Sequence, residues 1–396
     1  MTTTIINKNK KPNVPNLRFK EFQGEWEEST IGEMFDLYSG NTPSRLNKEH
    51  FKGTVNWISS GELKEHYIYS SKEQISEEAA KSLKLLPVGT FVIAIYGLEA
   101  EGVRGTGSII QEPSTISQAC MSFIPKGVIE NEFLYSWYKK HGNVIGIRYA
   151  QGTKQQNLSY DILEKFRIAY PNTKEQEKLN KFISLLDERI ATQSKIIDKL
   201  QTLIKGIVDS TILRKEKNAI VGDVCSISEQ IRAEANIDDI ITVRLHGNGV
   251  CKSSAENLQL GATQYYRRRA GQLIYGKQNF HNGAIGIVPI SLDNGITSKD
   301  IPSFDIDEMK CNSVYLLAQL QSPQYYKPAE ALTTGTGSKR LKEETFLKMP
   351  IVLPNKREQD NIATLIISIS ANLDQAKKML DLFSIQKQYL LRQMFI

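Results

Sequence analysis

The sequence has few cysteines and no long apolar run. Its four cysteines, among 396 residues, are scattered and form no CxxC pair, which excludes a cysteine zinc site and a dense disulfide framework. A membrane-spanning helix would need about 18 consecutive apolar residues, and the sequence has no such stretch. Residues 1–15 also lack the apolar centre of a secretion signal. We therefore expect a cytoplasmic protein with no membrane attachment.

The sequence also lacks the common motifs of catalysis. It has no GxxxxGK(S/T) phosphate loop, no HExxH, no GxSxG, no Asn-Pro-Pro-aromatic motif and no strong dinucleotide-binding fingerprint. The stretch 334–339 has the composition of a phosphate loop but not its spacing, and the five histidines show no ligand spacing. We therefore expect a protein that is not an enzyme by itself and holds no metal or cofactor.

Positive charge is present but unevenly distributed. The net charge is +6, and the residues up to 171 carry 20 basic and 19 acidic groups, while residues 219–353 carry 14 of each. The excess lies on residues 172–218 and 354–396. Near-neutral segments can bind DNA only through local basic clusters, or with a partner that shares the phosphates.

An internal duplication is visible at a constant offset of 183 residues. Residues 152–176 and 335–359 align without gaps, and nine of the 25 pairs are identical. Each copy has a Pro-Asn pair near its end, and no proline occurs in the predicted helical segment that follows. This pattern is typical of the start of a helix.

Apolar residues continue at the same offset in alternating steps of four and three, which indicates a heptad seam. The seam positions of the first copy are Leu179, Ile183, Leu186, Ile190, Gln193, Ile197, Leu200, Ile204, Ile207 and Thr211. Those of the second copy are Ile362, Ile366, Ile369, Leu373, Ala376, Leu380, Phe383, Lys387, Leu390 and Met394. Each segment is predicted to be a helix of about 38 residues, roughly 57 Å long.

These observations predict an α+β fold with internal pseudo-twofold symmetry. Two mixed α/β domains, the first head (residues 1–172) and the second head (215–354), are joined by two long helices (173–214 and 355–396). Either each seam covers its own head, or the two helices pair as an antiparallel coiled coil. Sustained heptad periodicity favours the pair.

Polar loops immediately before the two helices are the main candidate binding sites. Glycine lets backbone amides approach a phosphate, Lys and Arg neutralise it, and Gln, Asn and Arg can bond to base edges. The alternative is a solvated loop of chance polarity. The candidate residues are Lys154, Gln155, Gln156 and Asn157 in the first loop and Ser338, Lys339 and Arg340 in the second.

Further candidates lie next to predicted buried strands. Three consecutive arginines could bind the phosphates of a DNA strand, or they could form an ordinary solvated surface. Four other side chains lie where predicted strands end, and each of them could instead be structural. The residues are Arg267, Arg268 and Arg269, with Tyr96, Lys277, Asn279 and His281.

The combination of motifs resembles the specificity subunits of type I restriction–modification enzymes, and it spans the whole chain. Besides the two pre-helix loops, the stretches that carry this resemblance are Val14–Phe19, Gly24–Trp26, Ser39–Ser44, Lys174–Lys178, Leu186–Ile190 and Tyr389–Phe395. One departure is the spacing around the glycine cluster of the second head, Gly283 and Gly286, which differs from that around Gly102, Gly105 and Gly107 of the first.

The resemblance implies that each head is a target-recognition domain for one half of a split, asymmetric site in double-stranded DNA. The helices would set the spacing and dock two modification subunits, which bind S-adenosylmethionine and methylate adenine. Restriction subunits would add nuclease activity driven by ATP and Mg²⁺. The open alternatives are a stand-alone coiled-coil DNA-binding regulator and a structural adaptor protein.

Overall fold

The structure, a computed structural model, describes residues 12–100, 102–152, 156–253, 263–335 and 339–396. The chain forms two compact units. The first comprises residues up to 192 together with 380–396, and the second comprises 193–379. Each unit thus combines one head with parts of both long helices. The boundaries expected from the sequence separate the heads from the helices instead, and they stay a prediction.

Nine α-helices are present in the described ranges. They are α1 (Ile31–Met34), α2 (Glu77–Ala80), α3 (Asn131–Tyr149), α4 (Tyr160–Leu163), α5 (Thr173–Val208), α6 (Ser313–Leu320), α7 (Pro323–Tyr326), α8 (Glu343–Leu347) and α9 (Lys356–Met394).

The two long helices begin in the same way. The side chain of Asn172 accepts a hydrogen bond from the backbone N–H of Glu175 at 3.0 Å, and Asn355 does the same for Glu358 at 3.0 Å. An Asn cap satisfies one of the free N–H groups at a helix start. The helices α5 and α9 are 36 and 39 residues long, and a π-helical turn, Asp209–Leu213, extends α5.

The described residues of the first head form ten strands in three sheets. The five-stranded sheet has the order β2-β9-β6-β7-β4, the three-stranded sheet has the order β5-β3-β8, and β1 pairs antiparallel with β10. The strands are β1 (Glu27–Thr30), β2 (Phe35–Ser39), β3 (Val55–Ile58), β4 (Tyr67–Ile68), β5 (Glu73–Ile75), β6 (Phe91–Ala94), β7 (Gly107–Ile110), β8 (Ser114–Ile116), β9 (Cys120–Pro125) and β10 (Arg167–Tyr170).

The core of the first unit lies between the large sheet and α3. Phe91 packs there against Phe123 of the sheet and against Tyr135 and Tyr138 of α3. The same cluster includes Leu179 at the start of α5 and Phe395 just after α9. The helix ends are therefore part of the core of this unit.

In the second head, the part that the structure describes forms eleven strands in four sheets. Their orders are β12-β20-β17-β18, β13-β16-β19, β14-β15 and β11-β21. The strands are β11 (Ala219–Ile220), β12 (Cys225–Ile227), β13 (Arg232–Ala233), β14 (Ile241–Val243), β15 (Val250–Lys252), β16 (Tyr265–Arg267), β17 (Leu273–Tyr275), β18 (Ile285–Ile287), β19 (Ile296–Ser298), β20 (Ser303–Ile306) and β21 (Pro350–Ile351).

An aromatic cluster forms the core of the second unit. Tyr275, Phe304 and Phe346 have ring centroids 4.7 to 5.8 Å apart. The core extends to Val208 at the end of α5 and to Ile362 near the start of α9. Each head therefore packs directly on the helix segments of its own unit.

The predicted heptad seam is the less exposed stripe of both long helices. All its positions are buried or half-buried, whereas large apolar side chains elsewhere on the helices, such as Leu203 and Leu382, are exposed. The seam covers its own head at the helix ends, as Ile183 and Ile366 do. It also meets the other helix within a unit, since Gln193 donates a hydrogen bond to the carbonyl oxygen of Ala376 at 3.1 Å. The chain is thus a mixed α/β protein with two long helices.

None of the helices in the described ranges is long and apolar enough to cross a membrane.

Candidate nucleic-acid interface

The loop before α5 is closed by a backbone bridge. Gln151 and Asn157 exchange two hydrogen bonds of 2.8 Å, and Gly152 between them adopts φ +114°, in the region that favours glycine. The next residue, Leu158, is buried and donates its N–H to the carbonyl oxygen of Ile95 at 2.9 Å. The chain therefore leaves the core, turns and returns at a fixed point beside the end of β6.

The loop before α9 has the same construction. Thr334 and Arg340 exchange two hydrogen bonds of 3.0 and 2.9 Å, and Gly335 adopts φ +123°. Leu341 is buried and donates its N–H to the carbonyl oxygen of Lys277 at 2.9 Å, beside the end of β17. The two loops share one backbone frame, but the side chains that the frame carries differ.

Three predicted contact residues of the first unit lie together at this frame. Tyr96 bridges to Asn157, and the carbonyl oxygen of Gln156 accepts a hydrogen bond from Leu98 at 3.0 Å. All three are half-buried. The side-chain oxygen of Asn157 is buried without a hydrogen-bond partner in the described part of the chain, so it is an acceptor that a ligand could use.

Glu99 is a residue of this loop region that the sequence did not single out. Its carboxylate accepts a hydrogen bond from the backbone N–H of Gln156 at 2.9 Å. That bond lowers the pKa of Glu99 below its ordinary range. A stable carboxylate so close to the loop repels phosphate, and it can accept a bond from a base amino group.

In the second unit, Asp300 joins two predicted contact residues. Its carboxylate pairs with Arg340 at 3.2 Å, and its carbonyl oxygen accepts a hydrogen bond from the backbone N–H of Lys277 at 2.9 Å. Lys277 in turn pairs with Glu343 at 2.7 Å, and this pair is largely shielded from solvent. The structure thus brings Lys277 and Arg340 together, as expected, but with acidic partners.

Lys339 also has an acidic partner, Glu330, at 3.3 Å, and both side chains are more than half exposed. All three basic side chains at the base of this loop, with Lys277 and Arg340, are therefore neutralised. Exposed ion pairs contribute roughly 0 to 1 kcal/mol, so phosphate can compete for Lys339 and Arg340. The sequence could not identify these acidic partners, because each lies at least nine positions away along the chain from the basic residue that it pairs with.

Asn279 and His281 lie between β17 and β18. Asn279 is exposed and precedes a short 3₁₀ turn, Phe280–Asn282. Its side-chain oxygen accepts a hydrogen bond from Asn282 at 3.3 Å. His281 is half-buried, and its Nδ1 has no hydrogen-bond partner within the described ranges. Both residues keep groups that a ligand could bind.

Arg268 corrects the expectation of an exposed cluster of three arginines. Its side chain is fully buried and donates hydrogen bonds to Thr297 at 2.7 Å, Ser303 at 2.9 Å and the carbonyl oxygen of Ile301 at 3.0 Å. Burial lowers the pKa of Arg268 to about 10. The expectation that Arg268 is exposed is wrong, because the guanidinium links parts of the second head.

Arg267 and Arg269 are exposed, as the prediction requires. Arg267 lines a groove of about 610 Å³ together with Arg232 and Lys252, and acidic residues such as Asp238 also line it. No hydrogen bond or ion pair in the described part of the chain joins these arginines to the base of the pre-helix loop. Two separate surfaces of the second head thus carry candidate residues.

Three predicted contact residues, Lys154, Gln155 and Ser338, lie outside the described residues. Within the described ranges, no group of three or more His, Cys, Asp or Glu side chains could hold a metal ion. The arrangement of the remaining residues is that of a polar recognition surface built on loops and strand ends. Such surfaces can form hydrogen bonds with bases and phosphates.

Comparison with known proteins finds similarity to one family of DNA specificity domains. Residues 23–202 match the family model of the type I restriction modification DNA specificity domain. The chain is 29% identical over 185 residues to the MjaIX specificity subunit of Methanocaldococcus jannaschii, and 31% identical over 198 residues to the EcoR124I/EcoR124II specificity subunit of Escherichia coli. These alignments cover 44% and 49% of the chain, and 42% and 45% of the two relatives, less than half of their length.

A longer alignment covers 91% of the chain and 90% of the MjaVIII specificity subunit of M. jannaschii, at 20% identity. Among solved structures, the S subunit of a type I restriction–modification system from M. genitalium has the same fold, with a TM-score of 0.63 over 97% of this chain and 99% of its own length, at 14% identity. Residues 23–202 are thus similar to the type I restriction modification DNA specificity domain, which agrees with the resemblance noted in the sequence.

Proposed function

We propose that this chain is the DNA-reading subunit of a type I restriction–modification complex, and that it recognises a bipartite, asymmetric target in double-stranded DNA. The observation that carries this proposal is the pair of bridge-closed loops before α5 and α9. Their backbone frames agree, but one offers Gln156 and Asn157 where the other offers Lys339 and Arg340. Two loops with the same backbone closure but different side chains can recognise two different DNA half-sites.

We further propose that the chain is an internal duplication whose long helices pair as an antiparallel coiled coil. Contacts within each unit support this. In the first unit, Asp187 pairs with Lys387, and Arg189 lies over the ring of Phe383 at 5.0 Å. Residue numbers rise along α5 as they fall along α9, which is the antiparallel sense. Such a pair would set the distance between the half-sites.

The docking of partner subunits belongs to the same proposal. Leu382, Ile385 and Tyr389 form an apolar stripe on α9 in the first unit, and each is more than half exposed. Exposed apolar stripes typically mark interaction surfaces. Two modification subunits would bind S-adenosylmethionine and methylate adenine, and restriction subunits would use ATP and Mg²⁺. The complex would act in the cytoplasm.

The neutralised cations of the second head predict weak DNA binding by the chain alone. Because Lys277, Lys339 and Arg340 are paired with carboxylates, they add little net positive potential. We expect binding that is weak and salt-dependent for the purified chain, and much tighter when modification subunits share the phosphates. Equal affinity with and without these subunits would favour a stand-alone regulator, and the absence of any DNA binding would favour an adaptor.

The decisive experiment is methylome sequencing of cells that express the chain with its modification subunits. The expected result is one methylated motif with two unlike half-sites separated by unspecified base pairs. Cells without the chain are the control and should lack this motif. A continuous or palindromic motif would contradict the proposal.

A further inference from the structure

His66 lies where the first head meets the long helices. It directly precedes β4, and its ring is stacked between two tyrosines of the head. The ring centroids of His66 and Tyr67 are 4.1 Å apart, and those of His66 and Tyr135 are 3.9 Å apart, with the planes 9° and 3° from parallel. Contact on both faces fixes the orientation of the ring.

Both ring nitrogens of His66 face carboxylates. Nε2 lies 2.9 Å from Glu132 of α3, and Nδ1 lies 3.4 Å from Asp187 of α5. A neutral imidazole has only one N–H, so one of these contacts would set a lone pair against a carboxylate. An imidazolium donates a hydrogen bond to Glu132 and turns its second N–H towards Asp187 at ion-pair distance. The geometry therefore fits a protonated ring.

The charge network continues to the second long helix, because Asp187 also pairs with Lys387 of α9. It therefore includes groups on the head, on α5 and on α9, all within the first unit. The ionisable groups that face His66 or its carboxylate partners are Glu65, Tyr67, Glu132, Tyr135, Lys139, Asp187 and Lys387.

The pKa shifts agree with this geometry. Burial alone lowers the pKa of His66, but the hydrogen bonds and charges of Asp187 and Glu132 outweigh burial and raise it above 6.5. Burial raises the pKa of Asp187, but His66 and Lys387 lower it overall. For Lys139, burial and the charge of Lys387 lower the pKa to about 8. The shifts of His66 and Asp187 follow from attraction between opposite charges, and that of Lys139 follows from burial and repulsion by a like charge.

The second unit has different chemistry at the positions equivalent by the offset of 183 residues. Ser370 stands in place of Asp187, and Ile204 stands in place of Lys387. Both line a cavity of about 500 Å³ next to α6. His246 also lines this cavity, but neither of those two helix positions offers it a carboxylate. Lys205 and Asp209 line this cavity as well, but no hydrogen bond or ion pair within the described ranges joins either of them to His246.

We propose that His66, as an imidazolium, is a positioning residue that fastens the first head to both long helices, and that this attachment weakens when the ring loses its proton. The stabilisation is fully present below about pH 6.5, the unfolded value, because the folded state holds the proton more tightly. It is lost as the pH rises through the higher folded value. The second head lacks this dependence.

Tryptophan fluorescence can test the proposal, because the three tryptophans of the chain, Trp26, Trp57 and Trp137, all lie in the first unit. Urea unfolding of the full chain should be followed from about pH 5.5 to pH 8, the range in which histidine titrates. We expect the urea midpoint to fall as the pH rises. In His66→Gln the urea midpoint at acidic pH should be lower than in the natural chain. It should then change little as the pH rises.

His141→Gln is the matched control, since His141 is also a half-buried histidine of the first unit, but burial lowers its pKa. A histidine whose pKa is lowered in the folded state destabilises that state at acidic pH. Removing His141 should therefore make the urea midpoint decrease more steeply as the pH rises. The proposal is overturned if His66→Gln keeps the full pH dependence, or if both variants flatten it equally.

Glu132→Gln provides a second test that leaves the stacked ring in place. Its carboxylate is partly exposed, so the substitution should be tolerated. We expect a smaller fall of the midpoint with pH than in the natural chain. If His66→Gln does not fold, an unchanged pH dependence in Glu132→Gln overturns the proposal.

Discussion

Gln176 accepts a hydrogen bond from the backbone N–H of Glu130, the residue that precedes α3, at 3.0 Å. Its amide nitrogen donates to the carbonyl oxygens of Val128 at 3.1 Å and Pro171 at 2.9 Å. The side chain is completely buried. One glutamine therefore joins the start of the head helix to the start of α5.

Gln359 makes the same three contacts in the second unit. It accepts from the backbone N–H of Asn312, which precedes α6, at 2.9 Å, and donates to the carbonyl oxygens of Lys310 at 3.2 Å and Pro354 at 2.8 Å. The identity of these contacts extends the sequence repeat to the level of single atoms, and it supports the proposed duplication.

Gln176→Met should destabilise the first unit strongly. Methionine fills a similar volume, but it leaves one N–H and two carbonyl groups without partners, and each such loss costs about 1–3 kcal/mol. We therefore expect the free energy of unfolding to fall by roughly 3 kcal/mol or more. Urea unfolding followed by tryptophan fluorescence measures this change. Gln388→Met, on the exposed surface of α9, is the control, and equal effects of the two substitutions would contradict the assigned role.

The repeated Pro-Asn and Glu-Gln pairs could be read from the sequence because they recur at a fixed offset. The capping role of Asn172 follows from its place before a periodic helix. The contact between Gln176 and Glu130 could not be predicted, because 46 residues separate the two and only the folded head brings them together. The heptad seam was predictable for the same reason as the cap, since its period is local, whereas the strand order of the heads depends on distant pairings.

Arg268→Met should destabilise the second unit without specifically changing DNA recognition. The substitution removes a buried guanidinium that bonds to Thr297, Ser303 and Ile301, and hydrogen bonds from a charged group are worth about 1.5–3 kcal/mol each. We expect a loss of about 2 kcal/mol or more in the free energy of unfolding. Hydrogen exchange of β16 and β19 would report it.

Arg267→Met and Arg269→Met are the matched controls, because both side chains are exposed. They should change stability by no more than about 0.5 kcal/mol. If they contact phosphates, each should weaken DNA binding uniformly across sequences. If Arg268→Met keeps its stability but binds DNA more weakly, Arg268 contacts DNA and is not a structural residue. The run of three arginines is visible in the sequence, but which one is buried depends on the packing of β16 against β19.

Asp300→Asn should strengthen DNA binding by the assembled complex. The carboxylate neutralises Arg340, and the amide releases that cation for a phosphate. We expect a severalfold gain in affinity and a steeper dependence on salt, by about one released ion. Arg340→Gln should have the opposite effect. Titrations of fluorescent duplexes at several salt concentrations measure both quantities.

Glu344→Gln controls for the change in net charge, because Glu344 is an exposed carboxylate on the nearby helix α8. If Asp300→Asn and Glu344→Gln raise affinity equally, the gain comes from net charge and not from the release of Arg340. The acidic partner was not predictable, because Asp300 lies 40 residues before Arg340.

Lengthening both long helices by one heptad should lengthen the unspecified spacer of the DNA target. Seven residues inserted into α5 between Asp198 and Asp209, with seven more in the facing part of α9 between Ile362 and Ala376, preserve the seam in both. The added length is about 10 Å, or about three base pairs at roughly 3.4 Å each. Methylome sequencing should then find both half-sites unchanged and farther apart. Insertion into α5 alone leaves the added seam residues unpaired, so this control should lose activity. An altered half-site with an unchanged spacer would show that the paired helices do not set the spacing.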